Sequence, residues 1–430
     1  MSSTGSDASS GRESAPWRTL QKAADTVPAG GTVFVRGGTF DAFQMRRSGT
    51  ASGPITFAAY PGEQPVVDGK NAVAYAVRFS SVRYVRMTGI TVQGGFAERH
   101  AGGGVLVENS SFVELRNNTF RNNKAFGVRT SSSTNVTVDG NDIYGNAVGV
   151  HVTGPSAGTV ISDNLIHDNN QMMVNTADVD HDDAGAEGVA LVKSSGSVVV
   201  RGNSIWGNRA QSFDYGYDGG AFSIYAASGW TITDNVTWDN RNVLETGTDS
   251  AQTPCDGNAF TRNLNYGATT EDRTVGMVLR CASNTLIANN TFVGMQYFVF
   301  AISHDLGGYG GSVDGLRIVN NVISASAKIY GIDSALPASV VIDNNVIQRS
   351  GSGYLATVFG VGNTSSLATF ASWTGFDRHS VAADPQFVDA DTNDYRLESD
   401  SPAVDAGMSV PGVTDNSTGI APDAGYRERR

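Results

Sequence analysis

From about residue 54 the chain repeats one phrase: a short apolar strand, a polar turn, a second strand, then an Asn beside an apolar residue. The copies read RNNTF at 116–120, GNDI at 140–143, DNLI at 163–166, GNSI at 202–205 and DNVT at 234–237. They continue as RNLN at 262–265, NNTF at 289–292, NNVI at 320–323 and NNVI at 344–347. Self-similarity at a period of this size predicts a solenoid. Short Val/Ile-rich strands with an Asn held at one turn favour an all-β, single-stranded parallel β-helix over a helical or leucine-rich array. At that turn an Asn side chain can bond its counterparts in the coils above and below. Ahead of the repeat, WRTLQKAADTV at 17–27 has apolar residues at helical spacing and predicts a short capping helix over the open end of the stack. After about residue 350 the pattern dissolves. SSLATFASWTGFDRHSV predicts one short helix, and the rest reads as an irregular tail that caps the far end. The expected organisation is a disordered stretch at 1–16, a β-helix at 17–350 and a capping segment at 351–430.

Spacing locates the departures from the repeat. Successive turn Asn residues, from Asn118 through Asn345, are separated by 23, 23, 39, 32, 28, 27, 31 and 24 positions. Extra residues in a solenoid must leave the coil as loops, often stacked on one face. The two largest excesses fall at residues 169–186 and 209–220, each just before the same strand of its coil, and should form adjoining walls over one groove. Aligning that strand from coil to coil puts Val105, Val128, Val150, Val189, Phe222, Leu244 or Val243, and Met277 in the core. One outward column then holds Leu106, Arg129, His151, Ala190, Ser223, Glu245 and Val278. A second holds Glu108, Ser131, Thr153, Val192, Tyr225, Gly247 and Arg280.

The net charge of -12 argues against a nucleic-acid partner, because there is no basic stripe to displace counterions from phosphate. It does not exclude an acidic polymer, provided metal ions or local Arg residues bridge the repulsion. No apolar run is long enough to span a membrane. The polar, Ser/Gly-rich start lacks a hydrophobic signal core, and the expectation is a secreted, monomeric protein whose export signal has been removed. Cys255 and Cys281 lie about one repeat apart. They read equally as a disulfide between neighbouring coils or as two buried thiols.

The groove and its loops gather the candidate chemistry. Asp182 and Asp183, with Asp180 and Glu187, form a candidate metal site, since adjacent carboxylates are costly without a positive charge between them. The bland alternative is a solvated loop tip, where Asp is at home. Glu245 stands on a strand, where Glu is disfavoured. Lys193 sits at a strand-to-turn junction, as solvated Lys residues often do. His151 beside Arg129 reads as groove or as decoration, and Arg280 as chemistry or as a ladder partner. Asp214, Tyr217 and His181 are candidate substrate contacts, and Asp218 and Tyr225 candidate catalytic groups. The aromatics offer flat faces to a sugar or simply pack.

The segment TLQKAADTVPAGGTVFVRGGTFDAFQMRRSGTASGPITFAAYPGEQPVVDG resembles the opening of the family-nine polysaccharide lyases and of their alginate- and chondroitin-cleaving cousins of family six. Both are right-handed β-helix members of the pectate-lyase superfamily. The resemblance implies calcium bound by a cluster of Asp residues that includes an adjacent pair, matched here by Asp182 and Asp183. EGVALVKSSG at 187–196 is similar to the family-six segment whose Lys is the Brønsted base, which would be Lys193. The acidic pair is followed by AGAE where family nine has Asp-Asp-Gly-x-Asp, and residues 223–226 supply no Arg where family six has one. Three readings follow. A lyase would hold Ca2+ with Asp182, Asp183 and Glu187, take the proton with Lys193 or Arg280, and use Tyr225 or His151 as the acid. A hydrolase would pair Asp183, Asp218 or Glu187 with Glu245 across a glycosidic bond. A non-catalytic β-helix would use the insertions to bind a polysaccharide or oligosaccharide.

Overall fold

The computed structural model describes residues 1–97, 102–177, 182–250, 255–267, 275–304, 311–351 and 353–429. The chain divides into two compact units, Met1–Gly220 and Ala221–Arg430. Each is built from three parallel sheets to which successive coils contribute one strand apiece, in chain order. In the first unit the third sheet contains Gly103–Glu108, Phe126–Ser131, Val148–Pro155 and Glu187–Ser195. In the second it contains Gly220–Tyr225, Asn242–Gly247 and Val275–Leu279.

The register read from the sequence holds residue by residue within each unit. Val128 pairs with Val105 and Val150, and Arg129 with Leu106 and His151. In the second unit Phe222 pairs with Leu244, and Glu245 with Ser223 and Val278. The inward residues Val105, Val128, Val150, Val189, Leu244 and Met277 are all fully buried. Each such side chain contributes about 1.5–3 kcal/mol by leaving water.

The turn Asn residues are buried and bonded in series. In the first unit the Nδ2 of Asn118 donates to Oδ1 of Asn141 at 3.1 Å, Asn141 to Asn164 at 2.9 Å, and Asn164 to Asn203 at 2.9 Å. In the second unit Asn235, Asn263, Asn290, Asn321 and Asn345 continue the same scheme, and Asn345 donates at 3.1 Å to Oδ1 of Asp377. The residue before each ladder Asn has a left-handed backbone: Asn117, Gly140, Asp163, Gly202, Asp234, Arg262, Asn289, Asn320 and Asn344. Asn, Asp and Gly tolerate that conformation best, which is why the repeat reads NN, GN or DN in every copy but the one at Arg262. At Gly140 a Cβ would lie 2.7 Å from Oδ1 of Asn117, so the coil beneath adds a second reason for glycine.

A second ladder escaped the sequence reading. Asn123, Asn146, Asn169 and Asn208 join in the same way at 2.9–3.0 Å. Between the two ladders, the aromatic position of DIYGN, LIHDN and SIWGN stacks on the outside of the second sheet. Tyr144 and His167 lie 5.1 Å apart at 14°, and His167 and Trp206 lie 4.3 Å apart at 1°.

At the start of the chain the backbone of residues 1–16 finds partners. Ser2 N donates to Trp17 O at 2.9 Å, and Asp7 Oδ1 accepts from both Arg18 N and Thr19 N at 2.9 Å. The helix that follows, Leu20–Thr26, is capped by Thr19, which accepts from Lys22 N, and buries Leu20, Ala23 and Ala24. In the second unit, a helix at Leu367–Thr374 ends on Gly375 in the left-handed conformation. The tail then docks on its own unit: Asn320 exchanges hydrogen bonds with the Met408 backbone, and Asn289 donates to Asp423 O at 2.9 Å. Cys255 and Cys281 form a disulfide, which resolves the choice the sequence left open.

The ladder sets a measurable cost. Asn141 donates to Leu115 O and Asn164, and accepts from the backbone and side chain of Asn118. Asn141→Ala strands buried partners on both sides and is expected to cost about 3 kcal/mol. The check is the urea midpoint, which should fall with no change in slope.

Candidate functional site

Each of the two insertions located by spacing folds back as an antiparallel hairpin in the first unit. In the first, Met172–Val174 pairs with Ala184–Gly185; in the second, Ala210–Ser212 pairs with Gly216–Asp218. The two are stitched together by Asn175, whose Nδ2 donates to Gln211 O and whose Oδ1 accepts from Phe213 N, both at 3.1 Å. Adjoining walls are what the excess residues predicted.

Asp183 lies at the seam and is only 6% exposed. Its Oδ1 accepts from Thr176 N at 2.8 Å, while Oδ2 accepts from Ser212 Oγ at 2.7 Å and Asp214 N at 3.0 Å. Asp183 N returns a bond to Oδ2 of Asp214 at 3.1 Å, and Thr176 Oγ1 donates to Oδ1 of Asp182 at 3.0 Å. Desolvation pushes the Asp183 carboxyl up, but the Asp214 N–H, the Ser212 hydroxyl and the Thr176 and Phe213 amides outweigh it, so its pKa lies below the ordinary value. Oxygens of Asp182, Asp183 and Asp214 come within 4.8 Å of one another. Three carboxylates at this separation repel one another unless a positive charge joins them. An all-oxygen set of this kind suits a hard cation such as Ca2+, with water completing the shell. Asp183 is taken up by donors from both hairpins, whereas Asp182 is exposed and Asp214 half-buried.

Among the described residues this cluster differs in membership from the ligand set read from sequence. Asp214, expected to contact substrate, joins the acidic pair, and Glu187 is not in the group. Glu187 opens the next strand and pairs with Val148, while the clasp to Ser212 and Asp214 draws the hairpin carboxylates toward the second insertion. Asp180 and His181 lie outside the described residues.

Lys193 stands in an unusual place. The strand pairs Thr153 with Val192 and then Gly154 with Ser194, so Lys193 is an extra, bulged residue, and its φ is 50°. Strict alternation after buried Val189 and Leu191 would send Lys193 into the core. The bulge instead turns it to solvent and gives the inward place to Ser194, which is 3% exposed. Bulges re-aim side chains in this way and are frequent beside active sites.

The groove is less open than the outward columns implied. Leu106, His151 and Ala190 are 6%, 9% and 1% exposed. Met173 of the first hairpin packs on Ala125, Phe126, Val148 and Ala190, because the insertion carries apolar residues as well as acidic ones. The His151 ring lies 4.6 Å from Phe126, whose other neighbour is the Arg129 guanidinium at 5.0 Å. Arg129 also donates to Tyr75 Oη at 3.3 Å. Tyr217 stands opposite Gln211 in the second hairpin, and Asp218 accepts from its neighbour Gly219 N at 2.8 Å.

In the second unit Arg280 donates to Glu245 at 3.2 Å. Crowding by neighbouring atoms raises the Glu245 pKa against the pull of Arg280 and Arg241, although two-fifths of its side chain still meets solvent (40%). Tyr225 pairs with Gly247, where an added Cβ would touch its ring at 3.4 Å. Sequence reasoning missed Thr176, Asn175 and Ser212. They carry no motif, and only the fold shows that Thr176 and Ser212 converge on Asp183 while Asn175 ties the two hairpins together.

Asp183 gives a pH prediction. A carboxyl held below its usual value of about 3.9 stabilises the fold above that pH, and the contribution is lost as pH falls through the depressed folded value. Asp183→Asn should therefore cost about 2 kcal/mol at neutral pH, and the gap from the parent should close in acid. Thermal melts across pH read this directly.

Known proteins place this architecture. A family model described as the Pel9A-like, right-handed β-helix region matches residues 1–297. The uncharacterized protein YwoF of Bacillus subtilis (strain 168) is 26% identical over 447 residues, covering 94% of this chain and 91% of YwoF. Pectate lyase PEL9 of Emericella nidulans is 41% identical over 73 residues, which are 16% of this chain and 18% of that protein. The crystal structure of pectate lyase Pel9A matches with a TM-score of 0.53 at 17% identity, covering 100% of this chain and 96% of that one. The lacto-N-biosidase of family GH136 from Eubacterium ramulus gives 0.52 at 15% identity, over 83% of this chain and 64% of the other. The PL6 alginate lyase AlyGC gives 0.50 at 14% identity, over 86% and 53%. The fold is thus shared by polysaccharide lyases and a glycoside hydrolase. With more than half its length matched by the family model, the chain belongs to the Pel9A-like right-handed β-helix family.

Proposed function

We propose that the protein is a secreted lyase that cleaves a uronate-containing polysaccharide by β-elimination, with Ca2+ held by Asp182, Asp183 and Asp214. The observation that carries the reading is the acidic cluster: two insertions converge to build it in a member of a pectate-lyase-like family. A bound cation would neutralise the uronate carboxylate and acidify the proton beside it. Asp183 fixes the cluster by locking the two hairpins together, and Asp182 and Asp214 present oxygens to the ion. Lys193, turned outward by its bulge, is the base. Its exposure at the bulge favours Lys193 over His151, which is covered. An amine accepts a proton only in its uncharged form, so turnover should rise toward alkaline pH. The Cys255–Cys281 disulfide favours an oxidising, extracellular setting.

One observation supports a hydrolase instead. A carboxyl with a raised pKa, as at Glu245, is what a general acid needs. A screen of uronate and neutral polymers separates the two, read by ultraviolet absorbance of unsaturated uronate and by a reducing-end assay. The lyase predicts that both signals rise together and that a chelator abolishes them. Lys193→Ala should then lower kcat by about 100- to 10,000-fold. Reducing ends without absorbance would sink the lyase and shift the chemistry to Glu245.

A further inference from the structure

The tip of the second hairpin displays its aromatics although its backbone is fixed. Phe213 is 68% exposed and Tyr215 is 46% exposed. All three tip amides are committed: Phe213 N to Asn175 Oδ1 at 3.1 Å, Asp214 N to Asp183 Oδ2 at 3.0 Å, and Tyr215 N to Ser212 Oγ at 3.1 Å. Gly216, with φ 75°, turns the chain back into the returning strand. A loop this well anchored has a fixed surface to offer, yet it leaves a phenyl ring in water where burial would have been favourable. Two aromatics held on an anchored loop beside the acidic cluster form a surface suited to recognition, since binding residues are disproportionately carried on loops positioned by a rigid scaffold.

We propose that Phe213, with Tyr215, is a stacking platform for a uronate sugar ring in the subsite adjoining the acidic cluster. This rests on the reading of the protein as acting on a uronate polymer. A pyranose ring offers one face of C–H groups, which lies well against a flat aromatic side chain. Consecutive Cα atoms are about 3.8 Å apart, so Phe213 and Tyr215 flank Asp214 within the reach of neighbouring sugars on one chain. The charge balance makes the occupant specific. A uronate beside Asp182, Asp183 and Asp214 is repelled until a cation joins them, whereas a neutral sugar would bind with or without one.

Affinity gel electrophoresis in a Lys193→Ala background, where turnover is suppressed, tests this with polygalacturonate, alginate, xylan or galactan cast in the gel, with calcium or with chelator. The expected result is retention on a uronate polymer that needs calcium. Phe213→Ala should weaken that retention about tenfold and Phe213→Trp should preserve it, with the melting temperatures of both unchanged. Equal retention of Phe213→Ala and the parent would overturn the platform, as would retention by neutral polymers alone or by none. The two proposals fail separately. Phe213-dependent retention without unsaturated product would leave the platform and remove the lyase. Elimination with an unchanged KM in Phe213→Ala would do the reverse.

Discussion

The interaction on which the rest depends is the hydrogen bond between buried Asn carboxamides of successive coils. A parallel β-helix must turn the chain inside each coil, and every turn buries amides and carbonyls that strands cannot satisfy. Asn meets this with one acceptor and two donors, which it divides between the next coil's Asn and nearby carbonyls, as Asn141 does with Asn164 and Leu115. Because an unpaired buried group costs more than a made bond gains, the ladder fixes where a coil can tolerate extra residues. Insertions must enter and leave without disturbing the rung, and the two long ones do so between Asn169 or Asn208 and the strand that follows.

That restriction explains why the chemistry lies where it does. Both insertions leave the coils at equivalent places, so two hairpins distant in sequence meet side by side and share one carboxylate. Asp183 acts first as a structural clasp, accepting from Thr176, Ser212 and Asp214. The convergence of Asp182 and Asp214 follows from that clasp. The acidic character of the site and the order of its loops are one piece of geometry.

Much of this was legible in the sequence, for a physical reason. Strand alternation and ladder spacing are strict periodic constraints, so the register of Arg129 with His151 and of Glu245 with Ser223 could be read directly. The insertion sites followed by subtraction. Contacts made inside the insertions were not legible, since no period governs them. Asp214 therefore stood apart from Asp183, and the apolar side of the first hairpin, which covers Ala190, was overlooked. Lys193 was legible as a residue at a strand-to-turn junction and again by resemblance, but the bulge that reconciles a lysine with a strand whose neighbours face the core was not.

The ladder of the second unit also has a direction. Every amide from Asn235 to Asn345 donates toward the later coil, so the small dipoles add head to tail and the positive end emerges at the last rung. There the acceptor is a carboxyl, Asp377, where another amide would have left its own donors to be satisfied. Burial raises the Asp377 pKa, and the Asn345 and Ser380 donors pull the other way. The stack therefore ends electrically as an α-helix begins, with an acid set against the terminal N–H groups. A β-helix built on side-chain amides thus has an electrostatic polarity that its own parallel sheets do not supply.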